Sequence, residues 1–284
     1  MQENQRPMHS PAVSAGFVEV DGGQLYYEVA GNGHPLVLFQ GRELLDRRIW
    51  DRQFMTFASF YRVVRYDARG CGKSPVATAS YTEADDLARL LHALKIEKCY
   101  LLDLGGRSLL NIVHKHTSFI DALILVSPEI SLAPSVDEAQ ADLPQILERY
   151  ALMVEALRQN DRQRAVDEIM KILFSSSPLS SDAYQHVRTI VADNLPALLN
   201  PSLPPTINTK VFDTRHQWLK RVQIPTLLLV GENARDEIRK TVQALEETLS
   251  DSQSQTIAQA NFLLNVEQPD EFNRTVIAFL RALP

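Results

Sequence analysis

Short apolar runs alternate with helical repeats along most of the chain. Continuous apolar runs at 35–39, 122–126 and 226–230 are typical of β-strands that are covered on both faces. The stretch 81–94 instead places its leucines on one face of a predicted helix. Such alternation predicts helices and strands in turn rather than an all-helical or an all-β fold.

The remaining elements of this pattern extend from residue 17 to the end of the chain. The first part of the chain contributes a hairpin over 17–29 around a Gly-Gly turn, a helix over 49–60 and a strand over 61–66. A strand then leads into the glycine pair at 105–106, and a helix follows it to about residue 116. The last part contributes a helix over 238–249, a short strand near 255–257 and a helix over 269–283. Strands alternating with helices predict an α/β fold whose mostly parallel sheet carries helices on both faces.

The pattern changes between residues 131 and 220, where strand-like runs stop. Three helical segments take over, at 143–157, 162–174 and 182–192. We therefore predict a loose N-terminal tail, an α/β core in two parts and a helical insertion between those parts. The predicted ranges are 1–15 for the tail, 16–130 and 221–284 for the core, and 131–220 for the helical insertion.

Composition narrows the classes of molecule that this chain is expected to bind. The chain of 284 residues has a formal net charge of −6, which gives no electrostatic reason to expect nucleic acid or an anionic membrane. No stretch approaches the roughly 20 apolar residues of a membrane span, and the first 15 residues do not resemble a secretory signal. The only cysteines, Cys71 and Cys99, have neither metal-site nor disulfide spacing. We expect a soluble cytoplasmic protein without a metal or an organic cofactor.

Three motifs, in a fixed order, carry a family resemblance. Residues 67–74 read D-x-R-G-x-G-x-S, residues 224–232 form an apolar run ending in Gly-Glu, and residues 267–272 read E-x-P-x-x-F. With these motifs the chain resembles the α/β-hydrolase superfamily over 17–130 and 221–284. The resemblance implies the α/β-hydrolase fold, and it likens the helical insertion to the family's cap domain, in the capped esterase and epoxide-hydrolase branch.

The same resemblance implies a catalytic triad, and the chain departs from it at every member. Members of the family attack with a nucleophile, move the proton with a histidine and orient that histidine with an acid. Counted from residues 96–98, the nucleophile position is Gly105, which has no side chain. The acid position is Ala234 and the histidine position is Asn261. Gln40 and Gly41 stand where the family has His-Gly beside its oxyanion hole.

Two other registers of the strand-to-helix turn remain open. Counting back from 123–126 assigns Asp103 to the nucleophile position, and residues 103–107 then resemble the D-x-G-G turn of the epoxide-hydrolase and dehalogenase branch. A third register uses Ser108 but lacks the glycine that allows the helix to pack close to the strand. Glu129 and Asp236 are candidates for a displaced acid, and both are also ordinary positions for loop carboxylates.

Further candidates surround the same turn. His186 and His216 lie in or near the helical insertion and could substitute as a base only within hydrogen-bond reach. Arg107 could bind a ligand carboxylate or pair with a neighbouring acid. The backbone N–H groups near Gly41, Leu104 and Gly106 are candidates for an oxyanion site. The glycines of 70–74 do not fit a phosphate loop and predict a structural turn that Arg69 ties to other loops.

Two functions follow from these positions. One is a hydrolase-fold protein with a degenerate triad that keeps a pocket under the cap for a small apolar or ester-like molecule. The alternative is an active hydrolase of esters, epoxides or haloalkanes that uses Asp103 as its nucleophile. The oligomeric state is left open.

Overall fold

An eight-stranded sheet forms the centre of the computed structural model, which describes residues 11–41, 44–106, 112–113, 117–129, 143–174, 181–196 and 219–283. The order of the strands across the sheet is β1-β2-β4-β3-β5-β6-β7-β8. The pairs β1·β2 and β2·β4 are antiparallel, and all the other neighbouring pairs are parallel. The strands are β1 Val13–Val20, β2 Gly23–Ala30, β3 Pro35–Phe39, β4 Arg62–Tyr66, β5 Cys99–Leu104, β6 Ile120–Val126, β7 Thr226–Gly231 and β8 Ser252–Ile257.

Eight helices are described around and between these strands, together with short helical turns at Arg47–Trp50, Thr117–Phe119 and Leu219–Arg221. The helices are α1 Asp51–Ala58, α2 Glu83–Ala93, α3 Leu143–Arg158, α4 Arg162–Leu173, α5 Ser181–Asn194, α6 Asp236–Thr248, α7 Leu264–Glu267 and α8 Pro269–Ala282. Helices α3 to α5 come between β6 and β7, as the pattern predicts for the helical insertion.

The central strands are apolar on both faces because helices cover both sides of the sheet. All six residues of β7 are buried, and so are the last four of β5. This burial confirms the prediction of a mostly parallel α/β sheet from continuous apolar runs. Helix α2 begins after Thr82, whose hydroxyl oxygen accepts a hydrogen bond from Asp85 N at 3.1 Å and so caps the helix.

Several predicted boundaries differ from the structure. The predicted tail is wrong for Val13, Ser14 and Ala15, which pair with β2. A short apolar-polar run of this kind is weak as a sequence signal, and strand pairing decides its conformation. The helix predicted over 49–60 is a short helical turn followed by α1. Most of the helix predicted after the glycine pair, including His114 and His116, lies outside the described residues, as does residue 284.

Gly31 marks a close backbone contact at the end of β2. Its φ is +79°, and a Cβ built on it would lie 2.2 Å from the carbonyl oxygen of Ala58 and 2.3 Å from that of Tyr61. The nearby Gly33 also has a positive φ, +99°, but the nearest atom to its Cβ, Phe60 O, would be 3.2 Å away. Comparing alanine substitutions at the two glycines therefore distinguishes the energetic cost of a positive φ from the cost of a steric collision with the backbone.

We expect Gly31→Ala to lower the free energy of unfolding by clearly more than Gly33→Ala. At Gly33 the cost is that of a positive φ, about 1–2 kcal/mol. At Gly31 the collision with two backbone carbonyls adds to that cost, because backbone cannot move aside as a side-chain tip can. Urea denaturation of both variants measures the difference. Equal losses would contradict the close contact described at Gly31.

Candidate functional site

The parallel strands β3, β5, β6 and β7 end at one edge of the sheet, here called the carboxyl edge, where α/β proteins bind ligands. At this edge β5 gives way to two glycines in left-handed conformation, Gly105 with φ +95° and Gly106 with φ +70°. Gly105 N donates to Val126 O at 2.8 Å, and Gly105 O accepts from Glu129 N at 2.9 Å. The turn is thus hydrogen-bonded to the end of β6 and to Glu129, which is one of the predicted candidate acids.

Among the three registers, Gly105 is the residue that stands at the turn directly after β5. Asp103 lies two residues earlier, inside the strand, opposite Phe39 of β3 and Leu125 of β6. Its side chain is fully buried. Arg107 and Ser108 lie outside the described residues.

Gly41 lies directly against the end of β5. Its φ is +57°, and a Cβ on it would be 1.8 Å from Leu104 O and 2.2 Å from Asp103 Oδ1. Only glycine fits between these atoms. The loop after β3 and the buried Asp103 carboxylate are therefore in immediate contact, as an oxyanion loop and a nucleophile strand would have to be.

Two other polar side chains lie close to this edge, Gln40 and Tyr66. Gln40 is hydrogen-bonded to the backbone, and the Tyr66 phenol stays uncharged. The Gln40 amide, oriented to satisfy its neighbours, donates to Tyr66 O at 3.1 Å and accepts from Ala68 N at 2.8 Å. Gln40 thereby joins the end of β3 to the segment after β4. Burial, together with the negative charges of Glu83, Asp86 and Asp103, holds the pKa of the Tyr66 phenol well above its ordinary value.

The positions predicted for the acid, after β6 and after β7, hold an ion-paired glutamate and an alanine. Ala234 is buried, and the residue after it, Arg235, pairs through its guanidinium with the carboxylate of Glu129. Asp236 instead has 80% of its side chain exposed and pairs with Arg239 at 3.1 Å. The structure therefore brings Glu129 and the Ala234 position together through Arg235, and it leaves Asp236 in solvent.

Asn261, the residue predicted to hold the histidine position, lies in a loop that is held in place by hydrogen bonds to Glu267. Glu267 Oε2 accepts from Asn261 N at 2.9 Å and from Asn261 Nδ2 at 2.8 Å. Its other oxygen, Oε1, accepts from Phe262 N at 3.1 Å and from Leu263 N at 2.9 Å. The opposite side of the Asn261 amide, Oδ1, is buried and has no hydrogen-bond partner among the residues that the structure describes. The Glu267 carboxylate thus accepts hydrogen bonds from three backbone N–H groups. Because it also binds Asn261 Nδ2, the Asn261 Oδ1 acceptor is oriented away from Glu267.

Ser127 is a site residue that the sequence analysis missed. It follows β6 with φ +45°, is fully buried, and donates from Oγ to Phe262 O at 2.8 Å. This bond ties the end of β6 to the loop that carries Asn261. The available signal is its place between a buried strand and Pro128, where serine favours a turn.

The candidate bases are not gathered at the carboxyl edge in the part of the chain that is described. His186 lies on α5, where its Nε2 is 2.9 Å from Arg48 O. His34 pairs with Asp121 at 3.2 Å near the opposite ends of the strands, and His92 is exposed on α2. His216 lies outside the described residues, as do two segments that would bound the predicted pocket, 130–142 and 197–218. No group of three metal-ligating side chains occurs within the described ranges.

Asn194, the last residue of α5, is the main polar attachment of the helical insertion. Its Oδ1 accepts from Gly72 N at 2.7 Å, and its Nδ2 donates to Leu44 O at 3.2 Å and to Asp46 Oδ2 at 2.8 Å. Burial alone would raise the pKa of Asp46, but its bonds with Arg48 and Asn194 lower that pKa below the ordinary value. Asp46 therefore stays ionised as the partner of both groups.

The D-x-R-G-x-G-x-S segment is a structural turn, as its glycine spacing predicts. Asp67 accepts from Arg47 N at 2.9 Å and from Lys73 N at 2.8 Å, and a Cβ on Gly72 would lie 2.3 Å from its carboxylate. Arg69 forms a two-pronged pair with Asp86 of α2, at 2.7 and 2.6 Å, and its Nη1 donates to Asp21 O in the turn between β1 and β2, so it ties the 67–74 turn to a second loop as predicted.

Comparison with known proteins identifies the family to which the chain belongs. A family model of the alpha/beta hydrolase fold matches residues 34–269, and the chain therefore belongs to that family. Carboxylesterase YbfK of Bacillus subtilis is 24% identical over 255 residues, covering 86% of this chain and 79% of the esterase.

Solved structures agree on the fold. The crystal structure of that carboxylesterase, CesB (YbfK), superposes with a TM-score of 0.74 at 20% identity over 95% of this chain and 92% of the other. A bromoperoxidase from Bacillus anthracis also gives a TM-score of 0.74, at 24% identity over 94% of this chain and all of the other. No helix in the described ranges has the length and apolar character to cross a membrane.

Glu28 links two arginines beside the 67–74 turn. Its Oε1 accepts from Arg47 Nε and its Oε2 from Arg65 Nε, both at 2.8 Å. Burial would raise the pKa of Glu28, but these two guanidinium groups lower it below 4.5. The lowered pKa means that ionised Glu28 stabilises the folded state above pH 4.5, and that this stability is lost as the pH falls through the folded-state pKa.

We expect Glu28→Gln to reduce the free energy of unfolding by about 2 kcal/mol at pH 7, since it leaves two largely buried guanidinium groups without this carboxylate. The loss should shrink as the pH is lowered from 7 into the acid range, because wild-type Glu28 then takes up a proton. Urea titrations of the variant and the wild type at pH 7 and at a series of acid pH values measure this change. Glu97→Gln, at an exposed position, is the matched control. A loss that does not depend on pH would contradict the role of charge.

Proposed function

We propose that this chain is a hydrolase-fold protein with a degenerate triad, which binds a small ester- or lactone-like molecule at the carboxyl edge without serine-hydrolase turnover. The observation that carries the proposal is Gly105 at the turn directly after β5, with φ +95° and no side chain to attack a carbonyl carbon. In this family the side chain at that turn acts as the nucleophile.

The partner positions support the same conclusion. Buried Ala234 has no carboxylate to orient an imidazole, and Asn261 has a neutral amide, which does not act as a base near pH 7. Glu267 holds the Asn261 loop in place through backbone donors, so the loop keeps its shape without a histidine. The geometry of the site is thus maintained by groups that take no part in acyl transfer.

The remaining polar groups suggest how a ligand would bind. Buried Asn261 Oδ1 is an acceptor that suits a hydroxyl or N–H donor. Arg235 uses one guanidinium nitrogen toward Glu129 and is half-buried, so its other N–H groups suit a carbonyl or carboxylate oxygen. A related protein of known activity, YbfK, is a carboxylesterase, which favours ester-like ligands. We propose that α3 to α5 cover this ligand as a cap.

The second candidate is hydrolysis through Asp103. Its buried carboxylate touches the Gly41 loop, as a nucleophile beside an oxyanion loop would. Attack by Asp103 on an epoxide or haloalkane carbon would break the carbon–oxygen or carbon–halogen bond, release an alkoxide or a halide ion and leave an ester on the protein; releasing that ester needs a base to activate water. Because Asn261 holds the histidine position, we rank this reaction second.

We expect purified protein to show no turnover above background on short p-nitrophenyl esters, epoxides or haloalkanes. Asp103→Asn is assayed beside it, because loss of a measurable rate in this variant would overturn the proposal in favour of the second candidate. Thermal shift on a panel of short esters, lactones and their acids should show stabilisation by at least one compound, at about 2.7 kcal/mol when its concentration is 100-fold above Kd. Asn261→Ala should remove that shift, and Asp236→Asn should keep it.

Rebuilding the triad tests the assignment of the three positions. We expect Gly105→Ser combined with Ala234→Asp and Asn261→His to gain hydrolysis of p-nitrophenyl acetate, because nucleophile, acid and base would then stand at the family's positions. The matched control carries Asp103→Ser with the same two partner substitutions. A gain in the control set, without a gain in the Gly105 set, would contradict the register proposed here.

A further inference from the structure

The two edges of the sheet differ in character. β8, at one edge, reads Ser-Gln-Ser-Gln-Thr-Ile and exposes polar side chains. β1, at the other edge, exposes two large apolar side chains, Val13 and Phe17, each with 52% of its surface accessible. The Phe17 ring is held against Tyr26, with ring centroids 5.2 Å apart, so this apolar surface has a defined position.

β1 lacks the features that keep an edge strand from pairing. It is eight residues long, contains no proline or lysine, and has Glu19 as its one charged residue. Its described pairing is with β2 alone, and in an antiparallel pair every second residue turns its N–H and C=O away from the neighbour. These outward groups form a row to which another strand can bind.

A groove runs beside this edge. It has a volume of about 580 Å³ and is bounded by Phe17, Val18 and Glu19 on the strand side. On the other side it is bounded by Ala88, His92 and Leu94, on and just after α2. A groove between a strand edge and a helix is the geometry in which an extended segment binds as an additional strand.

We propose that the strand which binds here is β1 of a second copy of this chain, paired antiparallel to the first and centred on Ala15. In this register Val13 of one copy lies opposite Phe17 of the other, and Ala15 lies opposite Ala15. Val13, Ala15 and Phe17 share one face of the strand because side chains alternate, so each exposed apolar side chain meets another. The arrangement is a two-fold, isologous interface.

Charge and chain direction agree with this register. Glu19 of each copy lies opposite Pro11 of the other, which places the two Glu19 side chains about 27 Å apart, at opposite ends of the pairing. No like charges face each other across the pair. The second copy's Pro11 and Ala12 pass along Val18 and Glu19, next to the groove, and proline is tolerated there because a strand end does not need its N–H.

We expect the purified full-length chain to have twice the mass of one chain by light scattering coupled to gel filtration at roughly 100 µM, and to dissociate on dilution. Val13→Lys and Phe17→Lys, made separately, should each shift it to a monomer, since each buries two ammonium groups in the pairing. Gln255→Lys on β8 is the matched control at the other edge and should remain dimeric. Circular dichroism checks that all three variants are folded.

Cysteine cross-linking tests the register itself. Ala15→Cys should form a disulfide-linked dimer under mild oxidation, because residues directly opposite in an antiparallel pair have Cβ atoms about 4.5–5.5 Å apart, and a small shift of the strands brings them to the roughly 3.5–4.5 Å of a disulfide. Glu19→Cys is the control and should not cross-link, since its two copies are far apart. Both native cysteines are buried and are unsuited to cross-linking.

Four results would overturn the proposal. They are a monomer at every concentration, a dimer that survives both lysine substitutions, cross-linking through Glu19→Cys as fast as through Ala15→Cys, and a dimer that forms only after residues 1–10 are removed. The last would mean that the chain's own N-terminal segment covers β1. None of these measurements depends on whether the carboxyl edge binds a ligand.

Discussion

The carboxyl edge of the sheet depends on one constraint: polar groups that are buried where the strands end have to find partners within the protein. Three side chains each meet part of this demand. Asp67 accepts backbone N–H groups from two loops, Glu267 accepts them from residues 261–263, and Asn194 satisfies Gly72 N and Leu44 O. A loop at this edge can therefore lose its catalytic side chain and still keep its conformation.

This separation is consistent with the proposal that the triad positions of this chain are substituted while the fold stays intact. Stability at this edge comes from capping carboxylates and amides, whereas acyl transfer needs a nucleophile, a base and an acid. Asn261 illustrates the difference, because its backbone N–H and Nδ2 donate to Glu267 while it stands at the position that we propose for the family's histidine. The Glu129–Arg235 ion pair likewise places two groups of opposite charge beside the positions that we propose for the acids.

Most of the fold could be predicted from the sequence because burial on both faces produces continuous apolar runs. The runs at β3, β6 and β7 have no other ready interpretation, and the glycine spacing of 67–74 predicts a turn. The attachments of the site could not be predicted in the same way. Asn194 is separated from Asp46 by 148 residues and Ser127 from Phe262 by 135, and no local pattern marks such partners. The predicted hairpin begins too late for a related reason, since Val13, Ser14 and Ala15 become part of β1 only by pairing with β2.

The position of the helical insertion also bears on how the chain folds. β6 ends at Val126 and β7 begins at Thr226, so the pairing of these neighbours has to close a loop of about 100 residues. Compared with a connection of about ten residues, the entropy of closing such a loop costs roughly 2 kcal/mol more. Asn194 divides that loop, because once α5 is bound to Asp46 and Gly72 only the last third of the connection remains to be closed. The Asn194 side chain, which attaches the insertion to the core in the folded protein, thereby also reduces the length of chain that must close when β7 pairs with β6 during folding.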